Sequence, residues 1–372
     1  VALTSTQLAH RVPGGTATSV LRLLDALAAG GGLELSAVLA RGDLRRPGSM
    51  RALAAAAPSL PAGVRPVVMP LPLPLLYDSW ARWGRPEIAA VAAVDLVHVT
   101  VPMRVGVGEV PMVATVHDLF PLSRPHGFTS RGARLMAEGL RWVLEEADAI
   151  MVPSEVVAAA CEAHGVGRPR LRVVPWGSDQ VVVEPAAVDA VRRRYGLRGP
   201  YVLVVGTLEP RKNLAGVMAA MASLDRPGVT LAVVGPAGWG EVPSPVEEGM
   251  AGPVALLGHV PEGDLTALYA GAEVFCFPSF EEGFGLPVLE AMAAGAPVVT
   301  SSGTATAEVA GDAALLVDPH DRAAIASAIA RLLDDRLLAA QLVDAGRARA
   351  GEHRWDAAAA ATRDVYREVL GR

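Results

Sequence analysis

The chain has 372 residues, of which 51% are hydrophobic and 19% charged; that is ample apolar side chain for packed cores, and it excludes a disordered chain or a coiled-coil rod. A formal net charge of -6, with no basic block, argues against a nucleic-acid binder that lives on phosphate contacts. Two cysteines, Cys161 and Cys276, are too few for a disulfide framework and lack metal-ligand spacing, which fits a reducing compartment. No apolar run approaches the ~20 residues that cross a bilayer, and no charged leader precedes an apolar run. The expectation is a cytoplasmic protein, with peripheral contact at the inner face of a membrane left open.

At roughly 150 residues per domain, the length predicts two domains. VALTS (1–5) reads as a first strand, followed by the glycine turn RVPGGT (11–16) and a helix from about 17 to 29. Further strands are ELSAVLA (34–40), VRPVVMP (64–70), DLVHVT (95–100), PMVATVH (111–117), DAIMVPS (148–154) and RVVPWG (172–177). The proline-rich stretch 57–75 reads as a surface loop, and 124–144 mixes arginines with apolar residues at helical spacing. That second stretch is either an ordinary amphipathic helix or a membrane-surface face. The boundary falls near 178–200, giving domains 1–180 and 181–354, with a C-terminal helix within 355–372 packing back on the first.

The second half alternates apolar runs with helical patterns, as βαβ units do. Its strands are YVLVVGTL (201–208), TLAVVG (230–235), VALLG (254–258), VFCFPS (274–279), PVVTS (297–301) and ALLVDP (314–319). Helices are expected near 212–224, 264–272, 287–294, 321–334, 336–350 and 355–370. Strands without polar alternation require a sheet covered on both faces. The fold class is therefore α/β, two Rossmann-like doubly wound domains facing across a cleft, with ligands expected at the carboxyl ends of the strands.

Two runs carry the chemistry. In SFEEGFGLPVLEAMAAG (279–295) a strand ends, a glycine loop follows, and Pro287 sits where a first helical turn starts. Gly283 and Gly285 let backbone approach a ligand, and the helix N-terminus offers N–H groups to an anion. Glu282 and Glu290, with seven residues between them, flank the same pocket, and Glu290 can accept from a pair of hydroxyls. In GTLEPRKN (206–213), Arg211 and Lys212 follow a strand and would neutralise a diphosphate as a bond to it breaks. An isolated Arg-Lys pair reads more readily as a solvated turn. Here, however, Lys212 is the only lysine among 33 basic residues and Asn213 the only asparagine, in a chain rich in alanine and arginine. A residue kept against that drift implies a compact ammonium that arginine does not replace.

The pairing of E-x7-E in EEGFGLPVLEAM with an upstream GTLEPRKN resembles the retaining family 4 glycosyltransferases of the GT-B fold, including their bacterial mannosyltransferase-like members. HDLFPLSRP (117–125), VPWGSD (174–179), LGHVPEGDLTALYAGA (257–272) and GTATAEVAGDAALLVDP (303–319) agree. The resemblance implies that Arg211 and Lys212 grip the donor diphosphate and that Glu290 binds the nucleotide ribose. It places Glu282 near the donor sugar, where Gly283, Phe284, Gly285 and Leu286 present backbone amides. Gly14 and Gly15 resemble the N-terminal loop that faces the phosphates, His117 the histidine that lines the sugar pocket, and Val260 the position where the base stacks. One departure stands out: Trp176 occupies the position where the family commonly has asparagine. Trp176, Trp239 and the remaining histidines read as packing or surface residues.

The implied reaction is retaining transfer of a hexose from a nucleotide-diphosphate sugar, GDP-mannose or a UDP-sugar, to a glycan, lipid-linked or small-molecule acceptor. A leaving phosphate oxygen takes the acceptor proton, and a covalent role for Glu282 is the less favoured variant. No Asp-x-Asp pair is present to hold a divalent ion, so metal independence and no cofactor are expected. The alternatives are a GT-B sugar-nucleotide epimerase or phosphorylase, or a catalytically silent nucleotide-sugar-binding subunit. A single lysine, already committed, argues against a pyridoxal-phosphate phosphorylase.

Overall fold

The computed structural model describes residues 1–9, 14–41, 60–123, 129–236, 238, 250 and 252–371. Trp239, residues 11–13 of the glycine turn, 57–59 of the proline-rich stretch and 124–128 of the arginine-bearing stretch lie outside the described residues. The chain forms two compact units, Val1–Trp176 with Trp355–Arg372, and Gly177–Arg354.

The first unit carries seven strands: β1 (Ala2–Thr4), β2 (Ser36–Leu39), β3 (Arg65–Val68), β4 (Val97–Val99), β5 (Met112–Thr115), β6 (Ala149–Val152) and β7 (Leu171–Val173). They pair in parallel in the order β3-β2-β1-β4-β5-β6-β7. The second unit carries β8 (Tyr201–Val205), β9 (Thr230–Val234), β10 (Val254–Gly258), β11 (Val274–Phe277), β12 (Val298–Ser301) and β13 (Leu315–Val317). Their order is β10-β9-β8-β11-β12-β13, again all parallel. β4, β5, β6, β8, β11 and β12 are buried at every position, which is why their sequences show no polar alternation. In each sheet the strand order reverses beside the first strand, between β1 and β4 and between β8 and β11, leaving a crevice at the carboxyl ends.

Helices cover the sheets through one apolar stripe each. Helix Gly15–Ala29 buries Val20, Leu23, Leu24 and Leu27, and helix Arg322–Asp334 buries Ile325, Ala328, Ile329 and Leu332, both at helical spacing. The C-terminal helix Trp355–Val369 belongs to the first unit. It buries Val365 and Tyr366, and its Arg363 donates to the carbonyl of Leu27 at 3.0 Å.

Two readings of the sequence need correction. The stretch 57–75 holds β3 and the start of a helix, Leu73–Trp83, where Pro72 caps and Pro74 lies in the first turn. Prolines that break a helix interior open one at its first turn, so they marked a helix start and not a loop. The boundary stretch 178–200 likewise contains a helix the sequence reading did not anticipate, Pro185–Arg194, also opened by a proline. Helices Glu155–Ala163 and Ala305–Ala310, capped by Ser154 and Thr304, were also not anticipated. Among the described residues no helix is long and apolar enough to cross a membrane.

Candidate active site

The loop after β8 runs through Gly206, at φ 148, to a short turn at Pro210–Lys212 and then Asn213 in the left-handed region. A Cβ on Gly206 would come within 3.3 Å of Lys212 Cε, so the glycine makes room for the lysine stem. A Cβ on Gly235, after β9, would overlap the Gly206 carbonyl oxygen at 1.9 Å, so only glycine lets the two strand ends meet. Asn213 tolerates its φ of 57 better than most residues, and its buried Nδ2 donates to the carbonyls of Pro278 (3.1 Å) and Pro319 (2.7 Å). One amide thus ties together the loops that leave β8, β11 and β13.

Against this frame Lys212 Nζ donates to Glu282 Oε1 at 2.6 Å and stands 4.7 Å from the centre of the Phe277 ring. Arg211 Nη1 donates to the Glu281 carbonyl at 2.8 Å and lies 3.0 Å from Glu282 Oε1, while Nη2 pairs with Glu209. The Phe280 amide donates back to the Arg211 carbonyl at 2.9 Å. Burial would raise the Glu282 carboxyl, but Lys212 and Arg211 outweigh it and hold that group below its ordinary range. Burial lowers the Lys212 ammonium, with Glu282 pulling the other way.

Beyond Glu282 the backbone enters helix Leu286–Ala294 through Gly285 at φ 106, with Pro287 in the first turn as the sequence predicts. A Cβ on Gly285 would meet Thr306 Cγ2 at 2.7 Å. Thr306 is itself fixed by Thr300 Oγ1 at 2.9 Å, so a hydroxyl network from β12 supports the turn. Phe284 is buried with its ring 6.1 Å from His353. Leu286 is the first residue of the helix, and Glu290 on its second turn accepts from Tyr269 Oη at 3.1 Å. Burial pushes the Tyr269 phenol well above its usual value, so it remains a donor and orients the carboxylate. Val260 is buried between β10 and helix Glu262–Ala270.

The structure therefore joins Arg211, Lys212 and Glu282 in one ion-paired group at the β8–β11 switch point, with Gly283, Phe284 and Gly285 in the loop that follows. Glu209, Arg211, Lys212 and Glu282 make two positive and two negative side chains. Attraction for an anion then comes from directed donors more than from net charge: Lys212 has three, one of them engaged by Glu282. A cavity of about 390 Å³ in the same unit is lined by Asn213, Phe280, His320 and Arg322, but not by Arg211, Lys212, Glu282 or Glu290.

The first unit places its predicted residues at the other switch point. Gly14 caps helix Gly15–Ala29, and among the described residues a Cβ on Gly14 or Gly15 would meet nothing within 4 Å. His117 follows β5. Burial lowers its imidazole to about 4 against an opposing hydrogen bond to the Thr100 backbone, so the ring is neutral at physiological pH. Its Nε2 is buried without a hydrogen-bond partner among the described residues. Nearby Thr100 receives Gln7 Nε2 at 2.8 Å, and its amide donates to Thr4 Oγ1 at 2.8 Å.

Sequence reasoning missed Tyr269, Gln7 and Thr100. None lies at a diagnostic spacing, and each matters only through a partner 21 or more residues away. Glu209 was in plain view within GTLEPRKN, yet its partnership with Arg211 leaves no mark on the pattern.

Residues 13–180 match the model described as Glycosyltransferase Family 4, and residues 190–349 that of Glycosyl transferases group 1. An O-antigen chain mannosyltransferase B of Escherichia coli is 35% identical over 266 residues, covering 68% of this chain and 70% of that protein. A D-inositol 3-phosphate glycosyltransferase of Acidothermus cellulolyticus is 33% identical, covering 70% of this chain and 62% of that one. The match thus spans about two thirds of the length of these relatives. Among solved structures, Anabaena Alr3699/HepE in complex with UDP-glucose has a TM-score of 0.76 at 20% identity, covering 100% of this chain and 99% of that chain. That likeness carries the fold, two parallel α/β sheets of GT-B type.

Proposed function

The chain belongs to the family 4 glycosyltransferases, and on that premise we propose that it moves a hexose, with retention, from a nucleotide-diphosphate sugar to a hydroxyl of a glycan, lipid-linked or small-molecule acceptor. The observation that carries this is the half-buried, ion-paired group Arg211–Lys212–Glu282 at the switch point of the second sheet, beside the N-terminus of helix Leu286–Ala294. Arg211 and Lys212 take the two phosphates; positive charge already in place costs no reorganisation as the leaving diphosphate gains charge. Glu282, kept ionised by both cations, faces the donor sugar, and the backbone at Gly283, Phe284, Gly285 and Leu286 supplies amides. Glu290, oriented by Tyr269, accepts from the ribose hydroxyls, and Val260 meets the base. Within the first unit taken by itself, Gly14 and Gly15 are suited to approach a phosphate and neutral His117 to contact a sugar hydroxyl.

Transfer needs no protein nucleophile: the acceptor hydroxyl attacks the anomeric carbon as the carbon–oxygen bond to the diphosphate breaks, and a phosphate oxygen receives the acceptor proton. The cations do the work a divalent ion would do, so the reaction runs without metal. GDP-mannose is the first donor to test, because the Escherichia coli relative is a mannosyltransferase; UDP-glucose, bound by the Anabaena protein, is the second. Two free, buried cysteines support a reducing compartment.

A thermal-shift screen of GDP-, UDP- and ADP-sugars tests the reading, since a ligand at 100 times its Kd adds about 2.7 kcal/mol of stability. One donor class should raise the midpoint clearly in the wild type, and Glu290→Ala should abolish the rise. No shift with any of them, or the same shift in the variant, would overturn the site.

A further inference from the structure

The residue that departs from the family pattern, Trp176, is 3% exposed, and its ring centroid lies 5.6 Å from that of His117 with the planes inclined by 32°. Its other neighbour is Trp355, 5.9 Å away at 31°. Trp355 opens the C-terminal helix, and that helix is fastened to β4 by Tyr366 Oη and His98 Nδ1, 2.7 Å apart. His117 therefore packs at a tilt against the first of two successive indoles, and the far one is held by a helix bonded to the sheet.

Tilted ring packing of this kind restricts the plane of an imidazole without using its nitrogens. An asparagine at the same place would bring both a donor and an acceptor within reach of the ring. The consequence is visible in the bonding: His117 Nε2 is buried yet has no partner among the described residues. A buried polar atom left unmatched is costly unless a ligand completes it.

We propose that Trp176, backed by Trp355, is a positioning residue for His117, holding the ring by its face so that Nε2 is kept for a sugar or acceptor hydroxyl. The contribution of His117 to transfer rests on the function proposed above; the positioning itself does not. The His117 ring in turn disfavours charge on His98, whose two nitrogens bond Tyr366 and Thr115 and which burial above all holds neutral down to about 3.

The test uses the full chain with ¹³C-labelled histidine, comparing wild type with Trp176→Asn and Trp176→Phe. The ring-current-shifted Cε1–H signal of His117 should move in Trp176→Asn, and its titration midpoint should rise by about one pH unit or more as water reaches the ring. Trp176→Phe should keep both near wild type. An unchanged signal and midpoint in Trp176→Asn overturns the proposal, and so does Phe behaving like Asn. Rates with GDP-mannose and UDP-glucose then add a cycle with His117→Ala. With the donor that turns over, Trp176→Asn should lower kcat by about 10- to 100-fold with donor KM changed less than about threefold. In the His117→Ala background the same change should cost nothing further. An additive loss there overturns positioning, whereas wild-type rates in His117→Ala would instead remove His117 from the reaction.

Discussion

The two units share one sheet architecture and finish their switch points in opposite chemistry. Beside β8 and β11 the second unit holds Glu209, Arg211, Lys212 and Glu282, all half-buried, in one ion-paired group. Beside β1 and β4 the first unit buries Thr4, Gln7 and Thr100 with a neutral His117. One edge gathers charged side chains, the other hydroxyl and amide groups without net charge. The fold supplies the crevice in both cases, and the residues just after the strands decide what it can hold.

Removing the charge from the second edge is the harshest test of that contrast. Lys212→Ala should lower turnover by about 100- to 1000-fold, the range seen when one preorganised electrostatic donor is lost. Its unfolding midpoint should stay near wild type, because Arg211 still pairs with Glu282 at 3.0 Å. Activity within twofold of wild type would mean the charged edge is only structural.

The next test strikes the frame instead of the charge. Asn213→Ala loses two donated hydrogen bonds and puts alanine at φ 57, a combined cost of about 2–4 kcal/mol. Urea unfolding should show the loss, and amide exchange should rise at Pro278–Phe280 and around Pro319. A cost under about 0.5 kcal/mol would show that the loops hold their places without the clamp.

Acid should separate the edges. His98 and His117 titrate near 3 and 4 in the folded chain against 6.5 for a free imidazole. The unfolded state then binds more protons below pH 6.5, so their contribution is complete above that value. It is lost as pH falls toward 4, at about 1.4 kcal/mol per pH unit for each histidine. Glu282, held below its usual value, withdraws its contribution only as pH falls beneath the ordinary carboxylate range. Hydrogen exchange from pH 7 to pH 5 should therefore loosen β4 and β5 before β8 and β11. Equal loosening of both sheets would contradict the contrast. The smallest expected effect belongs to metal removal: EDTA should change the rate by less than about twofold, and a large loss would restore a divalent ion to the diphosphate.

Much of this was legible in the chain. The strands of the described residues fall within short apolar runs of the sequence, and the central ones, β4, β5, β6, β8, β11 and β12, show no polar alternation because a parallel sheet covered on both faces buries them at every position. The lone lysine and the glycines of EEGFGLP marked two loops that the fold brings together at Glu282, since steric and charge requirements there are local. The helix at Leu73–Trp83 was hidden by prolines that read as breakers until their place in the first turn is known. The lone asparagine drew notice beside Lys212, but its work as a clamp on carbonyls 65 and 106 residues away could not be read from spacing.

Sequence alone determined the strands, the doubly wound class and the residue types gathered at the ends of β8 and β11, because periodicity and turn chemistry act over a few residues. Only the tertiary structure decided who partners whom: Glu282 shared by two cations, Tyr269 on Glu290, and Trp176 on His117. Those contacts join residues far apart in the chain, and a pairing made by the path of the backbone through space leaves no period to read.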